Sequence, residues 1–172
     1  MDSIQEQHER AVGDAFIEWY NNWNGTKFRY HGRGADPPDL VYRSESEETF
    51  LEITVAYYDA NNAAMLWQNA RRVQGAANIW IGKNPDQKII EHVNAVLTEK
   101  CGKQYPPKCV LVVGVYPDVT AAEELDALIG QIKVPVDHPF VEIYLAGNFP
   151  SSSGGSGGGY YCWKLGIAAR QA

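Results

Sequence analysis

Asp39 and Glu52 are the residues whose type and setting best suit chemistry. Asp39 follows Pro37 and Pro38 at the head of the apolar segment 40–43, and Glu52 lies inside the otherwise apolar run Phe50, Leu51, Ile53, Val55. A carboxylate in such a run is expensive to bury unless something compensates it. A second acid across the same hairpin makes a cation the natural compensator. Plainer alternatives stand beside this one: Glu52 can pair with Arg33 or Arg43 across the hairpin, and Asp39 after two prolines suits a turn or a strand cap.

The elements that must position these acids follow from local pattern. β-Branched and aromatic residues alternate on either side of Ser44-Glu45-Ser46-Glu47, which predicts a hairpin with strands over 40–43 and 48–58. Ile4, His8, Val12, Ala15, Phe16, Trp19 and Trp23 recur at helical spacing, predicting an amphipathic helix over 3–22 that Gly25 ends. Glu9 falls on the edge of that stripe, where a solvated charge is the ordinary reading. A short strand over 27–31 leads into a Gly32-Arg33-Gly34 turn. Asp59 caps a helix over 60–73 with Ala64, Leu66, Trp67, Ala70 and Val73 toward the sheet, Gln68, Arg71 and Arg72 as polar members, and Gly75 as its stop.

Further along, a short strand is expected over 77–81. Asn84-Pro85-Asp86-Gln87 opens a helix running to about Lys100 on Ile89, Ile90, Val93, Val96 and Leu97, with Gly102 ending it. The uninterrupted apolar run 109–115 predicts a strand buried on both faces at the centre of a sheet. Thr120-Ala121-Ala122-Glu123 reads as a capping box for a helix bearing Leu125, Leu128, Ile129 and Ile132, closed by Pro135. Strands are expected over 140–145 and 160–165, with the Ser/Gly tract 151–159 a flexible loop that would also suit an engineered linker. Trp19, Trp23, Trp67 and Trp80 are expected to fill the core, His8 to sit at its boundary, and His31 beside the glycine turn to stay outside the chemistry. This order predicts an α/β fold: one mixed sheet flanked by helices on both faces, in a single domain over 1–172.

Composition narrows the function. With 172 residues, 45% of them hydrophobic, the chain can bury one sizeable core. A net charge of -6 argues against gripping nucleic acid through bulk electrostatics, while leaving room for an enzyme that meets phosphates at a local site. Cys101, Cys109 and Cys162 are too scattered for a disulfide framework or zinc site, and Cys109 lies in an apolar run unsuited to a nucleophile. The N-terminus lacks a basic segment followed by an apolar one, and no apolar run approaches the ~18 residues needed to span a bilayer, so a soluble, cytoplasmic protein without membrane partners is expected. Neither a phosphate-binding glycine loop nor a Gly-x-Ser-x-Gly elbow is present.

Pro38-Asp39, twelve intervening residues, then Glu52-Ile53-Thr54 on an apolar strand, with a helix before and a helix plus a buried strand after, resembles the PD-(D/E)xK superfamily of restriction-endonuclease-like nucleases. The similarity covers residues 3 to about 115, leaving 116–172 as an elaboration. The resemblance implies that Asp39 and Glu52 bind one or two Mg²⁺ (or Mn²⁺) ions, that the Ile53 carbonyl can be a third ligand, and that Glu9 matches an acidic residue some members add. Thr54 occupies the position of the motif lysine and brings no positive charge. Some members carry the basic group on the following helix, a role open to Arg71 or Arg72, with Gln68 as a further polar contact. The implied function is Mg²⁺-dependent hydrolysis of DNA or RNA phosphodiesters, with a homodimer as a possible assembly. The alternatives are a catalytically degenerate binding or assembly module of the same fold and a small α/β ligand-binding domain.

Overall fold

The first helix is set by its ends. Ser3 Oγ accepts from the Glu6 N–H at 3.1 Å while the Glu6 carboxylate accepts from the Ser3 N–H at 2.6 Å, a reciprocal cap that starts α1 (Ile4–Asn24). Gly25, at φ 68°, takes the left-handed conformation that ends it. The computed structural model describes residues 3–77, 81–116, 120–150 and 158–167.

Six strands follow one another across a single mixed sheet: β1 (Arg29–Arg33), β2 (Leu40–Arg43), β3 (Glu48–Ala56), β4 (Cys109–Val115), β5 (Glu142–Phe149) and β6 (Gly159–Ile167). β1, β2 and β3 are antiparallel, β3, β4 and β5 parallel, and β6 antiparallel to β5. α2 (Ala60–Ala70) and α3 (Pro85–Cys101) make the crossover from β3 to β4. Asp59 caps α2 by accepting from the Asn62 N–H at 2.8 Å. Strand alternation divides the core in two. Phe16 and Ile17 of α1 pack with Leu40, Leu51, Ile53 and Val112 on one face. Ile89, Val93 and Leu97 of α3 pack with Leu111, Val113, Ile143 and Leu145 on the other. The fold is α/β with helices on both faces, and β4 is buried along its whole length. Among the described residues no helix is long and apolar enough to cross a membrane.

Several local expectations are corrected. Gly32 and Arg33 belong to β1, after a register shift at Tyr30/Gly32, so the turn begins at Gly34. β3 ends at Ala56 rather than 58, and β5 starts at Glu142 and runs on to Phe149. Asn84 sits at φ 51° and makes no side-chain cap. Thr120 does not cap either: its hydroxyl donates to Asp86 Oδ1 at 2.8 Å, and the Glu124 carboxylate instead accepts from the Ala121 N–H at the start of a short α4 (Ala122–Asp126). Ile129 lies in a separate 3-10 turn and Ile132 beyond it. α1 buries Glu9, Gly13, Phe16 and Ile17, whereas Trp23 is 76% exposed and stacks on Trp19. α2 buries Asn62 and Met65, leaving Ala64, Ala70 and Val73 exposed. The centre of the strand expected over 77–81, Trp80 included, and the tract 151–157 lie outside the described residues.

Gly13 lets α1 approach the sheet. A Cβ there would lie 2.4 Å from Leu40 Cδ1 and 2.8 Å from the Tyr42 hydroxyl oxygen, and both side chains are fully buried with no space to retreat. Gly13→Ala gains roughly 0.5–1 kcal/mol of helix propensity and loses about 1–3 kcal/mol to overpacking. A lower urea midpoint with an unchanged slope is the expected outcome; a raised midpoint would show that the contact yields.

Candidate functional site

β2 pairs with β3 only from Leu40↔Leu51 to Arg43↔Glu48, whereas β3 continues to Ala56. From Glu52 onward β3 is therefore laddered to β4 on one side and has no β2 partner on the other. A strand residue presents its N–H and C=O to the same side, alternating along the chain. The Phe50 N–H points toward β4, donating to the Lys108 carbonyl, so the Ile53 N–H and carbonyl point to the open edge. There the Asp39 Oδ2 accepts from the Ile53 N–H at 2.8 Å, a side chain replacing the missing strand. The turn that delivers Asp39 is closed by the Gly34 N–H donating to the Asp39 carbonyl at 2.9 Å. A Cβ on Gly34 would sit 1.9 Å from the Pro38 oxygen, so the turn requires glycine.

Glu52, 5% exposed, projects to the α3 side of the sheet. Lys100 Nζ, at the end of α3, reaches its Oε1 at 2.6 Å, and the Tyr105 hydroxyl donates to the same oxygen at 3.4 Å. Glu52 Oε2 is buried and has no hydrogen-bond partner among the described residues. Glu9, 7% exposed, is held by Arg33 Nη1 at 2.6 Å on one oxygen and by Gln5 Nε2 at 2.9 Å on the other. These groups, with Ile53, Thr54 and Arg71, line one cleft of about 880 Å³.

The electrostatics concentrate on Asp39. Burial pushes its carboxyl up to about 6; the Ile53 N–H opposes that, the charges of Glu52 and Glu9 add to it, and Lys100 opposes it again. Burial, followed by the Glu52 and Asp39 charges, pushes the Cys109 thiol up to about 12, in keeping with an inert core cysteine.

Asp39, Glu52, Ile53, Thr54, Glu9 and Arg71 are thus gathered in one place, whereas Gln68 is exposed and stands outside the cleft lining, as does Arg72. Two expectations change. Glu52 pairs with neither arginine, because Arg43 is taken by Glu48 and Arg33 by Glu9. Both Glu9 oxygens are engaged by protein donors, so Glu9 acts as the counter-ion that fixes Arg33 rather than as a ready ligand. Lys100 and Tyr105 were not foreseen. Lys100 had a signal: it stands three and four residues after Leu97 and Val96, which continues the buried stripe of α3.

No cluster of three or more His, Cys, Asp or Glu gathered for metal binding occurs among the described residues. Mg²⁺ does not require one, since it is commonly held by one or two carboxylates while keeping several waters. A buried carboxylate oxygen without a partner among the described residues, a second acid raised by burial and a strand carbonyl on an open edge form an oxygen donor set that fits such an ion. No known family matches the chain, and no curated protein or solved structure is detectably similar to it.

Because Asp39 titrates near 6 in the fold against an ordinary 3.8, the folded chain holds its proton more tightly than the unfolded one. The stability this contributes is present below about pH 4 and is lost as pH rises through 6. Asp39→Asn keeps an oxygen for the Ile53 N–H, so it is expected to match wild type near pH 4 and to exceed it above pH 6 by up to about 3 kcal/mol. Urea unfolding across that range measures the gap, and a gap independent of pH would contradict the assignment.

Proposed function

We propose that the chain is a divalent-metal-dependent phosphodiester hydrolase of the PD-(D/E)xK type, acting on DNA or RNA, in which Lys100 on α3 supplies the positive charge that Thr54 lacks. One observation carries this reading. Glu52 shares a cleft with Asp39, keeps one buried oxygen unpartnered and has Lys100 against the other. The order of a helix, three antiparallel strands, a helical crossover and a parallel strand also agrees with the resemblance.

Asp39, Glu52 and the Ile53 carbonyl would hold Mg²⁺, which when bound lowers the pKa of a coordinated water and offsets charge on a phosphoryl oxygen. The chain's own residues do the rest. Asp39 is oriented by the Ile53 N–H, so its position does not depend on an ion. Lys100, held at 2.6 Å from Glu52, is fixed where it can orient an attacking water through its three donors and oppose negative charge developing on the phosphate. Thr54 lies on the same strand face as Glu52 and offers a hydroxyl to that water. Arg33 and Arg71, always charged, line the cleft as phosphate partners; arginine is a poor general base.

Incubation of plasmid DNA and structured RNA with Mg²⁺ or Mn²⁺ is expected to yield cleavage that Asp39→Asn and Glu52→Gln reduce to background. Lys100→Met is expected to cost about a hundredfold or more, and Thr54→Lys placed on Lys100→Met to restore part of the rate. Cleavage that survives both acid substitutions, or that needs no metal, would refute the mechanism. Calorimetric Mg²⁺ binding lost in Asp39→Asn, without cleavage of any nucleic acid, would leave the binding-module reading in its place.

A further inference from the structure

Beside the acidic cleft lies a second, apolar pocket of about 190 Å³, and the two share Ile4, His8, Tyr57 and Trp67 in their walls. Resting on the reading of the cleft as a phosphodiester site, we infer that this pocket seats one unpaired nucleobase, and that the substrate is single-stranded where it crosses the carboxylates.

The lining suits a flat heterocycle. His8 lies between two other aromatic rings, 5.5 Å from Trp67 and 5.3 Å from Tyr116, and its Nε2 shares a hydrogen bond with the Tyr116 hydroxyl at 2.6 Å. Burial lowers the His8 pKa and favours the neutral ring. Leu66 and Ala70 of α2 complete an apolar wall. An apolar cavity of about 150 Å³ admits benzene, so the space is adequate for a single aromatic ring system. Stacking on such a wall tolerates any base, because every base has a π-face.

The neighbouring charges indicate what the ring is attached to. Arg71 lies 6.0 Å from the Trp67 ring and lines the cleft, together with Arg33 and Lys100. Cations directly beside an aromatic pocket complement a ligand that carries phosphate next to a ring. The pocket and the overall charge disfavour a duplex. Bases stacked inside a helix cannot enter the pocket without being extruded, and a chain with net charge -6 has little bulk attraction for two phosphate backbones.

Fluorescence anisotropy with Ca²⁺ as the divalent ion tests this on the full chain, using a ten-residue thymidine strand, an abasic strand with the same phosphates, and a ten-base-pair duplex. The thymidine strand is expected to bind at least about fivefold tighter than the abasic one, the low end of what stacking one base on an aromatic ring is worth, with the duplex no better than the abasic strand. Trp67→Ala is expected to erase that preference and Trp67→Phe to keep it. Ala70→Leu, at an exposed position of α2 outside the cleft lining, fills the pocket and is expected to erase the preference in a chain with the wild-type thermal transition. Equal binding of the two strands by wild type, a preference that survives Ala70→Leu, or a duplex that binds as well as the thymidine strand would overturn the inference. A base preference without metal-dependent cleavage leaves the pocket assigned and removes the hydrolase. Cleavage without a base preference does the reverse.

Discussion

Where β2 begins, at Leu40, its ladder to β3 is already at Leu51, and the remaining five residues of β3 must satisfy their outer backbone groups without a strand. An open edge of this kind is costly when buried and adhesive when exposed. Here it is met by a side chain: Asp39 turns in and accepts the Ile53 N–H. That single substitution of a carboxylate for a strand puts an acid beside the edge-facing Ile53 carbonyl and in one cleft with Glu52. It also opens the space that α1, Arg33 and Arg71 then border. A β2 longer by two residues toward its N-terminus would pair through Ile53 and leave no cleft at that edge.

Charge in the cleft is unevenly settled. Glu9 and Glu52 each have a cation at 2.6 Å, while the hydrogen bond to Asp39 comes from a neutral N–H. The shortfall therefore falls on Asp39 and on the buried oxygen of Glu52 that has no partner. Ion pairs whose acid is buried are poor stabilisers, since apolar residues of similar volume commonly do as well or better. Under the metal-binding proposal, Asp39 and Glu52 are accounted for by what they would bind rather than by what they hold together. Lysine rather than arginine opposite Glu52 fits the same account. An ammonium is a compact charge with three rotatable donors, able to serve a carboxylate and a water together, whereas a guanidinium tends to lock onto the carboxylate in a bidentate pair.

Much of this was readable from residue pattern. The stripe Ile89, Ile90, Val93, Val96, Leu97 is the buried face of α3, the apolar run 109–115 is the central strand, and Asp39, in the turn just before β2, and Glu52, on β3, stand beside one cleft. The misreadings have physical causes. α1 is rotated from its expected face because Gly13, which adds no hydrophobicity, is what permits close approach, while the bulky Trp23 extends past the packed region. Glu9 therefore looked like a solvated charge and is buried. Thr120 failed as a cap because a hydrogen bond to Asp86, distant in sequence, outcompeted the local one. Lys100 was hidden by a second valid reason for a cation there: a lysine in the last turn complements the helix dipole whatever else it touches.

That double role bears on how the site is held. Val96 and Leu97 anchor the last turns of α3 in the core against the sheet, so the reach of Lys100 to Glu52 is set by packing rather than by a loop. A lysine on β3 itself, in the place of Thr54, would lie on the same face as Glu52 and move only with that strand. A lysine on α3 ties the cation to the opposite layer of the fold, so that any shift of the helix against the sheet changes the spacing of cation and carboxylate. The spacing of cation and carboxylate and the packing of the core become one variable. On the proposed hydrolase reading, the packing of Val96 and Leu97 sets where Lys100 stands in the site without touching the substrate.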